Sequence, residues 1–334
     1  MLNPNLKLNP NIWDKEVEKQ ATRDGFGEGL VIAGEKNSHV VALCADVTDS
    51  VRMNLFRDRF PERFIEVGIA EQNMIGVASG LAASGKIPVA ATYGVFSPGR
   101  TWEQIRTTIC YNQQRVILVG SHTGLNVGPD GASHQMTEDL ALTRILPNLV
   151  VVAPADSLEA RKAILAAIDY PVSVYLRLSR EKSPVLTTLD SPFAIGQASV
   201  FWLPDENKNE HFCGVSILTC GYLVFKALQA AQELAEEKIF TTVINISTLK
   251  PLDEGLILEW AQKSKAFLTV EEHQINGGLG GAIAELTSEK YPILVRRLGL
   301  QDIFGESGNP EELIAKYGLD KEGIKEAVKS LLQL

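Results

Sequence analysis

Residues 64–92 read FIEVGIAEQNMIGVASGLAASGKIPVAAT and contain a complete strand–helix–strand pattern. The apolar run Phe64–Val67 leads into an amphipathic segment, Glu71–Ser84, which is followed by a second short apolar run, Pro88–Thr92. Continuous apolar strands with helices between them are typical of a parallel sheet that is covered on both faces. This stretch therefore predicts an α/β fold for the chain around it.

The same alternation extends on both sides of this stretch. A polar leader runs to about Asn11, and the sequence predicts a helix from Trp13 to about Glu35. These elements form a first predicted domain, residues 12–185, built on a parallel sheet. Its other strands are predicted at Val40–Ala45, Arg115–Gly120, Leu149–Ala153 and Val172–Leu178, and its other helices at Arg100–Tyr111, Thr137–Ile145 and Ser157–Asp169.

A second alternating unit follows a break in the pattern. From Glu181 to about Gly196 the chain is rich in Ser, Pro, Thr and Leu, and we place a linker at residues 186–196. Residues 197–334 form a second predicted domain, so the chain has two parallel-sheet-based α/β domains. The strands of the second domain are predicted near Ala198–Leu203, Val215–Cys220, Thr242–Ile246, Ala266–Glu271 and Ile293–Leu298, and its helices near Tyr222–Glu237, Asp253–Lys263, Leu279–Lys290 and Lys321–Leu332.

Composition and charge exclude several classes of protein. The 334 residues are 45% hydrophobic and 22% charged, which excludes wholesale disorder and allows a large core without disulfides. With 32 Lys and Arg against 41 Asp and Glu, the net charge of −9 argues against nucleic acid or an anionic membrane as a general partner. A local basic pocket for a small anion remains compatible with this balance.

The apolar runs and the cysteines indicate the compartment. No run approaches the ~20 apolar residues needed to cross a bilayer, and the N-terminal MLNPNLKLNPNIWDKE contains no apolar signal stretch. The four cysteines form no CxxC pair, and we expect reduced core thiols in a cytoplasmic protein. They are Cys44, Cys110, Cys213 and Cys220.

Polar side chains stand at the predicted carboxyl ends of four strands of the first domain. Ligands of open parallel sheets bind beyond that edge, so several polar groups there favour a site more strongly than any one of them does. The four features are Asp46, Glu71, residues 92–100 (TYGVFSPGR) and the Gly-rich loop at residues 121–135 (SHTGLNVGPDGASHQ).

Each of these residues also has an ordinary structural explanation. Asp46 could cap a helix, and Glu71 could complement a helix dipole. Aromatic residues such as Tyr93 and Phe96 are more often part of a core than a platform for a cofactor. The two loop histidines, His122 and His134, could have their hydrogen bonds satisfied within the loop. Their spacing with Asp130 matches no common metal-ligand motif. Jointly, the four features favour a functional site.

The sequence resembles a known family in several segments that occur in the family's order. Residues 64–74 (FIEVGIAEQNM) resemble the pyrimidine-binding segment of thiamine-diphosphate enzymes of the transketolase group. The same resemblance holds for residues 91–106 (ATYGVFSPGRTWEQIR), and for residues 128–144 (GPDGASHQMTEDLALTR) with the following APAD. It extends from about Ala21 into the second domain. The chain thus resembles the C-terminal half of a transketolase encoded as a separate subunit.

The resemblance implies a set of residues for thiamine diphosphate. Glu71 is the carboxyl group that hydrogen-bonds the pyrimidine nitrogen of the cofactor, a catalytic role in this family. Phe96 corresponds to the residue that stacks on the pyrimidine, and Tyr93 stands where many members carry Phe. Asp46 corresponds to the aspartate near the thiazolium ring. These assignments imply a pyrimidine-binding domain followed by a transketolase C-terminal domain.

The resemblance also implies residues for a phosphorylated sugar. Arginine suits a phosphate because its planar fork binds two oxygens at once. Taken from the residues alone, an ion pair or a solvated face stays open for the two arginines. Asp130 corresponds to a residue that recognises a substrate hydroxyl, and His134 to an active-site, catalytic histidine. The residues that correspond to phosphate ligands are Arg23, Ser50, His122 and Arg180.

One part of the family's pattern is missing from this chain. The family holds the diphosphate and Mg²⁺ with a GDG segment, and no GDG occurs here. The resemblance therefore implies an N-terminal partner subunit that holds most of the Mg²⁺ site, no metal ligands in this chain, and an α2β2 assembly. The implied activity is transfer of a two-carbon ketol unit between sugar phosphates. The glycines at residues 276–281 (NGGLGG) do not fit a dinucleotide loop, and we expect a tight turn there.

Three alternatives remain open from the sequence. A β subunit of a 2-oxo acid dehydrogenase has the same two domains, although Arg23, His122 and Arg180 favour sugar phosphates. A deoxyxylulose-phosphate-synthase-like enzyme is another relative, normally one longer chain. A non-catalytic α/β binding protein is disfavoured by the joint presence of Glu71 and Phe96 with Asp130 and His134.

Overall fold

The computed structural model describes residues 1–204 and 214–333, and strands alternate with helices as the sequence predicts. The central strands are short and buried on both faces, as expected for sheets covered by helices. The strands are β1 (Lys19–Gln20), β2 (Val40–Cys44), β3 (Phe64–Glu66), β4 (Ile87–Tyr93), β5 (Ile117–Ser121), β6 (Leu149–Val152), β7 (Ser173–Arg177), β8 (Ser183–Pro184), β9 (Ser199–Trp202), β10 (Val215–Thr219), β11 (Thr241–Asn245), β12 (Thr248–Lys250), β13 (Ala266–Gln274) and β14 (Leu294–Leu300).

Several helices begin at side chains that cap their first free N–H groups. Asp156, Asp253 and Asp320 each accept a hydrogen bond from a backbone N–H three residues further on. The helices are α1 (Thr22–Lys36), α2 (Asn54–Arg59), α3 (Glu71–Ala83), α4 (Trp102–Gln104), α5 (Asp139–Arg144), α6 (Ser157–Asp169), α7 (Val224–Glu236), α8 (Glu254–Lys263), α9 (Leu279–Lys290), α10 (Pro310–Lys316) and α11 (Lys321–Leu332).

Two sheets organise the molecule. The N-terminal sheet has seven strands in the order β12-β6-β7-β5-β4-β2-β3, all parallel except β12, which runs antiparallel to β6. The C-terminal sheet has five strands in the order β14-β13-β10-β11-β9, all parallel except β9. The predicted α/β fold class is confirmed.

The two faces of the N-terminal sheet have different neighbours. On one face, α1 lies directly along α6, and a Cβ at Gly25 would stand only 1.8 Å from the Ser157 carbonyl oxygen. Glycine is therefore required for this close approach. On the other face, residues such as Leu43 and Ile75 share one apolar cluster with Phe267 and Ile283 of the C-terminal half. This shared cluster fixes the two halves against each other.

The predicted helix from Trp13 to about Glu35 is wrong at its start. Helix α1 begins at Thr22, because residues Lys19–Gln20 before it form strand β1. Strand β1 pairs with Ser183–Pro184, and the Asp24 carboxylate accepts the Ala21 N–H, which fixes the first turn. Tertiary pairing thus overrides the helical pattern of the sequence before Ala21.

Other differences are local. Strand β12 was not predicted, and it carries a segment of the C-terminal half into the N-terminal sheet. The predicted helix Arg100–Tyr111 is divided into α4 and π-type turns at Val95–Arg100 and Ile105–Tyr111. Helices α2 and α10 were also not predicted.

The cysteines and the helices agree with the predicted reduced core. Cys44, Cys110 and Cys220 are buried free thiols, and Cys213 lies outside the described residues. Burial raises the pKa of each of the three described thiols. In residues 1–204 and 214–333, no helix combines the length and the hydropathy that crossing a bilayer requires.

Candidate active site

The predicted site residues gather at one edge of the N-terminal sheet. Strands β2, β3, β4 and β5 are parallel neighbours, so their carboxyl ends meet at that edge. Helix α3 begins there with Glu71, and the loops after β4 and β5 supply aromatic and imidazole rings. This is the edge where open parallel sheets bind ligands.

Glu71 is a buried carboxylate at the start of α3, with 3% of its surface exposed. Its Oε2 accepts a hydrogen bond from Arg100 Nη1 at 2.9 Å, whereas the Arg100 side chain is 51% exposed. The Arg100 guanidinium also stands over the Phe96 ring, 4.8 Å from its centroid. A single planar cation therefore joins the carboxylate to the aromatic ring.

Four rings form a continuous cluster beside this pair. The Tyr93 ring stacks on Phe96 with centroids 5.8 Å apart and on His122 at 3.9 Å. His134 stands edge-on to Phe96, at 5.8 Å and an interplanar angle of 80°. The Tyr93 and Phe96 residues are half-buried. The structure thus brings both aromatic residues and both histidines of the sequence prediction together.

His122 is a buried, neutral imidazole that accepts a hydrogen bond from Arg23. Its Nδ1 lies 2.9 Å from Ser121 Oγ, and its Nε2 lies 3.1 Å from Arg23 Nη1. Because Arg23 can only donate, Nε2 is the acceptor and Nδ1 carries the proton. Burial, reinforced by the positive charges of Arg23 and Arg180, lowers the pKa of His122 to about 3. The imidazole is therefore uncharged at any physiological pH.

Positive charge accumulates around this imidazole. Arg23 Nη1 also donates to the Ser50 carbonyl oxygen at 2.8 Å, and Arg23 Nε is buried without a hydrogen-bond partner. Burial, and then the charge of Arg52, lowers the pKa of Arg23. A buried N–H without a partner beside several guanidinium groups is the environment that an anionic ligand would satisfy. Arg180 completes the cluster and donates to the Val127 carbonyl oxygen.

Two predicted residues stand apart from this network. Asp46 is exposed after β2, with a left-handed φ of 57°, and Glu66 Oε1 accepts its backbone N–H at 2.8 Å. Asp130 is exposed at the end of the 3-10 segment Leu125–Asp130. Neither carboxylate makes a hydrogen bond with the four rings. Both stand at the same edge, where a bound ligand could reach them.

The residues fit the pyrimidine part of thiamine diphosphate. A bound pyrimidine needs a carboxyl group at its edge and an aromatic ring on its face. Glu71 and Phe96 are close enough for one planar group, the Arg100 guanidinium, to contact both at once. Among the described residues, no group of three or more His, Cys, Asp or Glu side chains is placed to hold a metal ion.

Sequence reasoning missed three contributors to this geometry. Arg100 lies in the segment at residues 91–106, but nothing in its spacing indicates that it forms an ion pair with Glu71. Glu66 ends β3 two residues before Gly68 and accepts the backbone N–H groups of Asp46 and Gly68. Ser121 precedes His122 directly, and only the fold shows that it orients that ring.

Comparison with known proteins gives the family. Residues 18–185 match the family "Transketolase, pyrimidine binding domain", and residues 210–324 match "Transketolase, C-terminal domain". A putative transketolase C-terminal section from Methanocaldococcus jannaschii is 40% identical over 310 residues, covering 92% of this chain and 94% of that protein. A 6-deoxy-6-sulfo-D-fructose transketolase subunit from Clostridium sp. (strain MSTE9) is 35% identical over 321 residues, covering 96% and 97% of the two chains.

A solved structure gives the same result. A split-gene transketolase, described as an inactive β4 tetramer, matches with a TM-score of 0.85 and 42% identity over 94% of this chain and 99% of that one. Both domains thus match in order, and the relatives of similar length are separate transketolase sections or subunits. The chain belongs to the transketolase family, a family that depends on thiamine diphosphate, and corresponds to a split transketolase-type subunit.

Proposed function

We propose that this chain is the C-terminal subunit of a two-subunit transketolase that transfers a two-carbon ketol unit between sugar phosphates. The observation that carries the proposal is the unbroken set of contacts from Glu71 through Arg100, Phe96 and Tyr93 to His122 and Arg23. It joins a carboxylate suited to a pyrimidine edge with a cationic cluster suited to a phosphate. A sugar-phosphate transferase needs both ends in one site.

We assign the cofactor end to residues at the start of α3 and after β4. When thiamine diphosphate is bound, it supplies the carbon nucleophile and the electron sink for cleavage next to a carbonyl. Glu71 hydrogen-bonds the pyrimidine edge and exchanges a proton with it, and Phe96 and Tyr93 support the ring face. Arg100 leaves this position when the ring binds, which its half-exposed side chain permits. Asp46 faces the thiazolium side.

We assign the substrate end to the cationic cluster and its loop. Arg23 and Arg180 bind the phosphate together with Ser50 and His122, which contributes as a neutral imidazole. His134 stands edge-on to Tyr93 and Phe96, and we assign it as the catalytic histidine of this site. Asp130, exposed at the loop end, accepts a hydrogen bond from a sugar hydroxyl.

We further propose how the subunits divide the work. Residues 12–185 form the pyrimidine-binding domain, residues 186–196 the linker and residues 197–334 the C-terminal domain. An N-terminal partner subunit holds the diphosphate and Mg²⁺, and two copies of each form an α2β2 assembly in the cytoplasm. The relative solved as an inactive β4 tetramer supports the expectation that the chain alone assembles without activity.

The test is co-purification with candidate N-terminal subunits, followed by an assay with xylulose 5-phosphate and ribose 5-phosphate in the presence of thiamine diphosphate and Mg²⁺. We expect ketol transfer by the assembled complex. A complex that decarboxylates a 2-oxo acid and does not transfer a ketol unit would assign the chain to another thiamine-diphosphate activity. The acceptor preference of the active complex then identifies the physiological aldose.

A further inference from the structure

One buried carboxylate of the C-terminal half contacts the Gly-rich loop after β5 (residues 121–135), which is called the substrate loop below. Glu272, in β13, is 3% exposed, and both of its oxygens face Asn126, which is 1% exposed in the loop after β5. Oε1 accepts the Asn126 backbone N–H at 2.5 Å, and Oε2 accepts the Asn126 side-chain amide at 2.9 Å. One carboxylate therefore fixes both the backbone and the side chain of Asn126.

Asn126 in turn holds the chain at Arg180. Its Oδ1 accepts the backbone N–H of Arg180 at 2.9 Å and that of Glu181 at 3.3 Å. The Arg180 guanidinium donates to the carbonyl oxygen of Val127, the residue that follows Asn126. Arg180 is thus attached to this short segment by its backbone and by its side chain.

The backbone of the loop is shaped for the approach of Glu272. Gly124 has a φ of +75°, and a Cβ at this position would lie 2.5 Å from Glu272 Cδ. Both the left-handed backbone and the lack of space require glycine here. From the other side, the Arg177 guanidinium donates to the Glu272 carbonyl oxygen at 2.8 Å. Two segments of the N-terminal half, the loop at Gly124 and strand β7 at Arg177, therefore enclose Glu272.

This contact has no counterpart in the functions assigned above, because Glu272 touches neither the ring cluster nor the candidate phosphate ligands directly. Resting on the proposed function, we propose that Glu272 is a positioning residue for the substrate site: through Asn126 it sets where Arg180 lies and so how tightly the substrate phosphate binds. The C-terminal domain then contributes to substrate affinity without contacting the substrate.

The test variant is Glu272→Gln in the assembled complex. The amide keeps the size of the side chain, but it presents an NH₂ group to one of the two Asn126 donors, so one of the two bonds is lost. We expect KM for ribose 5-phosphate to rise about tenfold with kcat changed by less than about twofold, because phosphate binding is uniform between ground and transition states. With unphosphorylated ribose as the acceptor, KM should not change.

A matched control and a rescue separate positioning from a general effect on the fold. Glu159 is also fully buried and also bridges the two halves, through Asn245 Nδ2 at 3.0 Å, but it does not contact the substrate loop. Glu159→Gln should leave both KM values unchanged. In the double variant Glu272→Gln/Asn126→Asp, the new amide donates to the new carboxylate, which still accepts the Arg180 N–H. Only the bond to the Thr123 carbonyl oxygen stays lost, so KM should return to within about threefold of the wild type.

Calorimetric binding of ribose 5-phosphate to the complex provides a readout without turnover. A wild-type complex that binds ribose and ribose 5-phosphate equally would contradict the proposed function and not the positioning role. If the wild type prefers ribose 5-phosphate but Glu272→Gln behaves like Glu159→Gln, the positioning role is overturned. It is also overturned if Glu272→Gln impairs ribose as much as ribose 5-phosphate. If Glu272→Gln does not fold, the double variant must bind ribose 5-phosphate more tightly than Asn126→Asp alone, and equal affinities overturn the proposal.

Discussion

The carboxyl ends of the two parallel sheets carry similar side chains and use them in opposite ways. At the N-terminal sheet, Glu71 is buried, but its partner Arg100 is half-exposed and can leave. At the C-terminal sheet, Glu271 of β13 is also buried, but its oxygens accept the backbone N–H groups of Leu279 and Gly280 at the start of α9, at 2.7 and 2.8 Å. A carboxylate whose oxygens already accept backbone N–H groups of its own chain stabilises the fold. A carboxylate with a removable partner remains available to a ligand.

Exchanging each of these two carboxylates for an amide tests the contrast most strongly. In Glu71→Gln the side chain still hydrogen-bonds a pyrimidine nitrogen but cannot exchange a proton with it. We expect turnover of the assembled complex to fall by ~10²–10⁴, with cofactor binding largely retained. Deuterium exchange at the thiazolium carbon of the bound cofactor, followed by NMR, should slow in parallel.

Glu271→Gln is the matched control for that experiment. The amide can accept only one of the two N–H bonds at the start of α9, so we expect a loss of ~1–3 kcal/mol in the free energy of unfolding and near-normal turnover. If Glu71→Gln also lowered stability and left deuterium exchange unchanged, Glu71 would be a helix-terminus residue like Glu271, and the contrast would fail.

The next largest effect concerns the cationic cluster of the N-terminal sheet. Arg23→Ala and Arg180→Ala should each cost ~1.5–3 kcal/mol of phosphate binding, which is about a 10- to 150-fold rise in KM for phosphorylated acceptors. Turnover should fall much less, because the phosphate is remote from the reacting carbon. Steady-state kinetics with a phosphorylated and an unphosphorylated aldose check this. Equal impairment of both acceptors would mean that these arginines do not bind the phosphate.

The smallest predicted effect concerns a buried carboxylate between the two halves. Burial, and then the charge of Asp156, raises the pKa of Glu159 from its ordinary value of 4.5 to about 7. A raised pKa means that the folded state favours the protonated carboxyl, so this contribution to stability is present below pH 4.5 and is lost as the pH rises through about 7. Glu159→Gln should therefore remove about 2 kcal/mol of the decrease in unfolding free energy between pH 5 and pH 7.5.

The chain offers a partner and a control for Glu159→Gln. Asn245 Oδ1 is buried without a hydrogen-bond partner, so rotation of its amide can accept the new N–H and keep the contact. The pKa of Glu233 shifts in the opposite direction to that of Glu159, because hydrogen bonds from Lys321 and Lys325 lower it. Glu233→Gln should lower stability at neutral pH, with the difference from the wild type disappearing only as the pH falls into the acid range. Urea unfolding at a series of pH values measures both, and an unchanged slope in Glu159→Gln would mean that this carboxyl does not titrate near neutral pH.

The sequence predicts those parts of the molecule that depend on local pattern. Except for β12, the strands of both sheets follow from apolar runs, and α6 lies at Ser157–Asp169 as predicted. The pairing of β1 with β8 and of β12 with β6 joins segments that are far apart in sequence, and no local pattern indicates either. The pairing of β1 with β8 also shifts the start of α1, which is why the predicted helix from Trp13 was wrong at its start.

The site divides in the same way. Its residue types at four strand ends follow from the sequence, because strand ends in parallel sheets share one edge. The neutral state of His122 does not follow, since its lowered pKa depends first on burial and then on the charges of three arginines from separate segments. The contact between Glu272 and Asn126 spans 146 residues, and only the fold brings the two together.

We propose that this chain holds one half of a thiamine-diphosphate site. The most direct measurement is ketol transfer from xylulose 5-phosphate to ribose 5-phosphate by the purified chain, with thiamine diphosphate and Mg²⁺, before and after addition of the N-terminal subunit. We expect no turnover by the chain alone and turnover when the second subunit is added. Robust turnover by the chain alone, with no second subunit detectable by mass spectrometry, would contradict it.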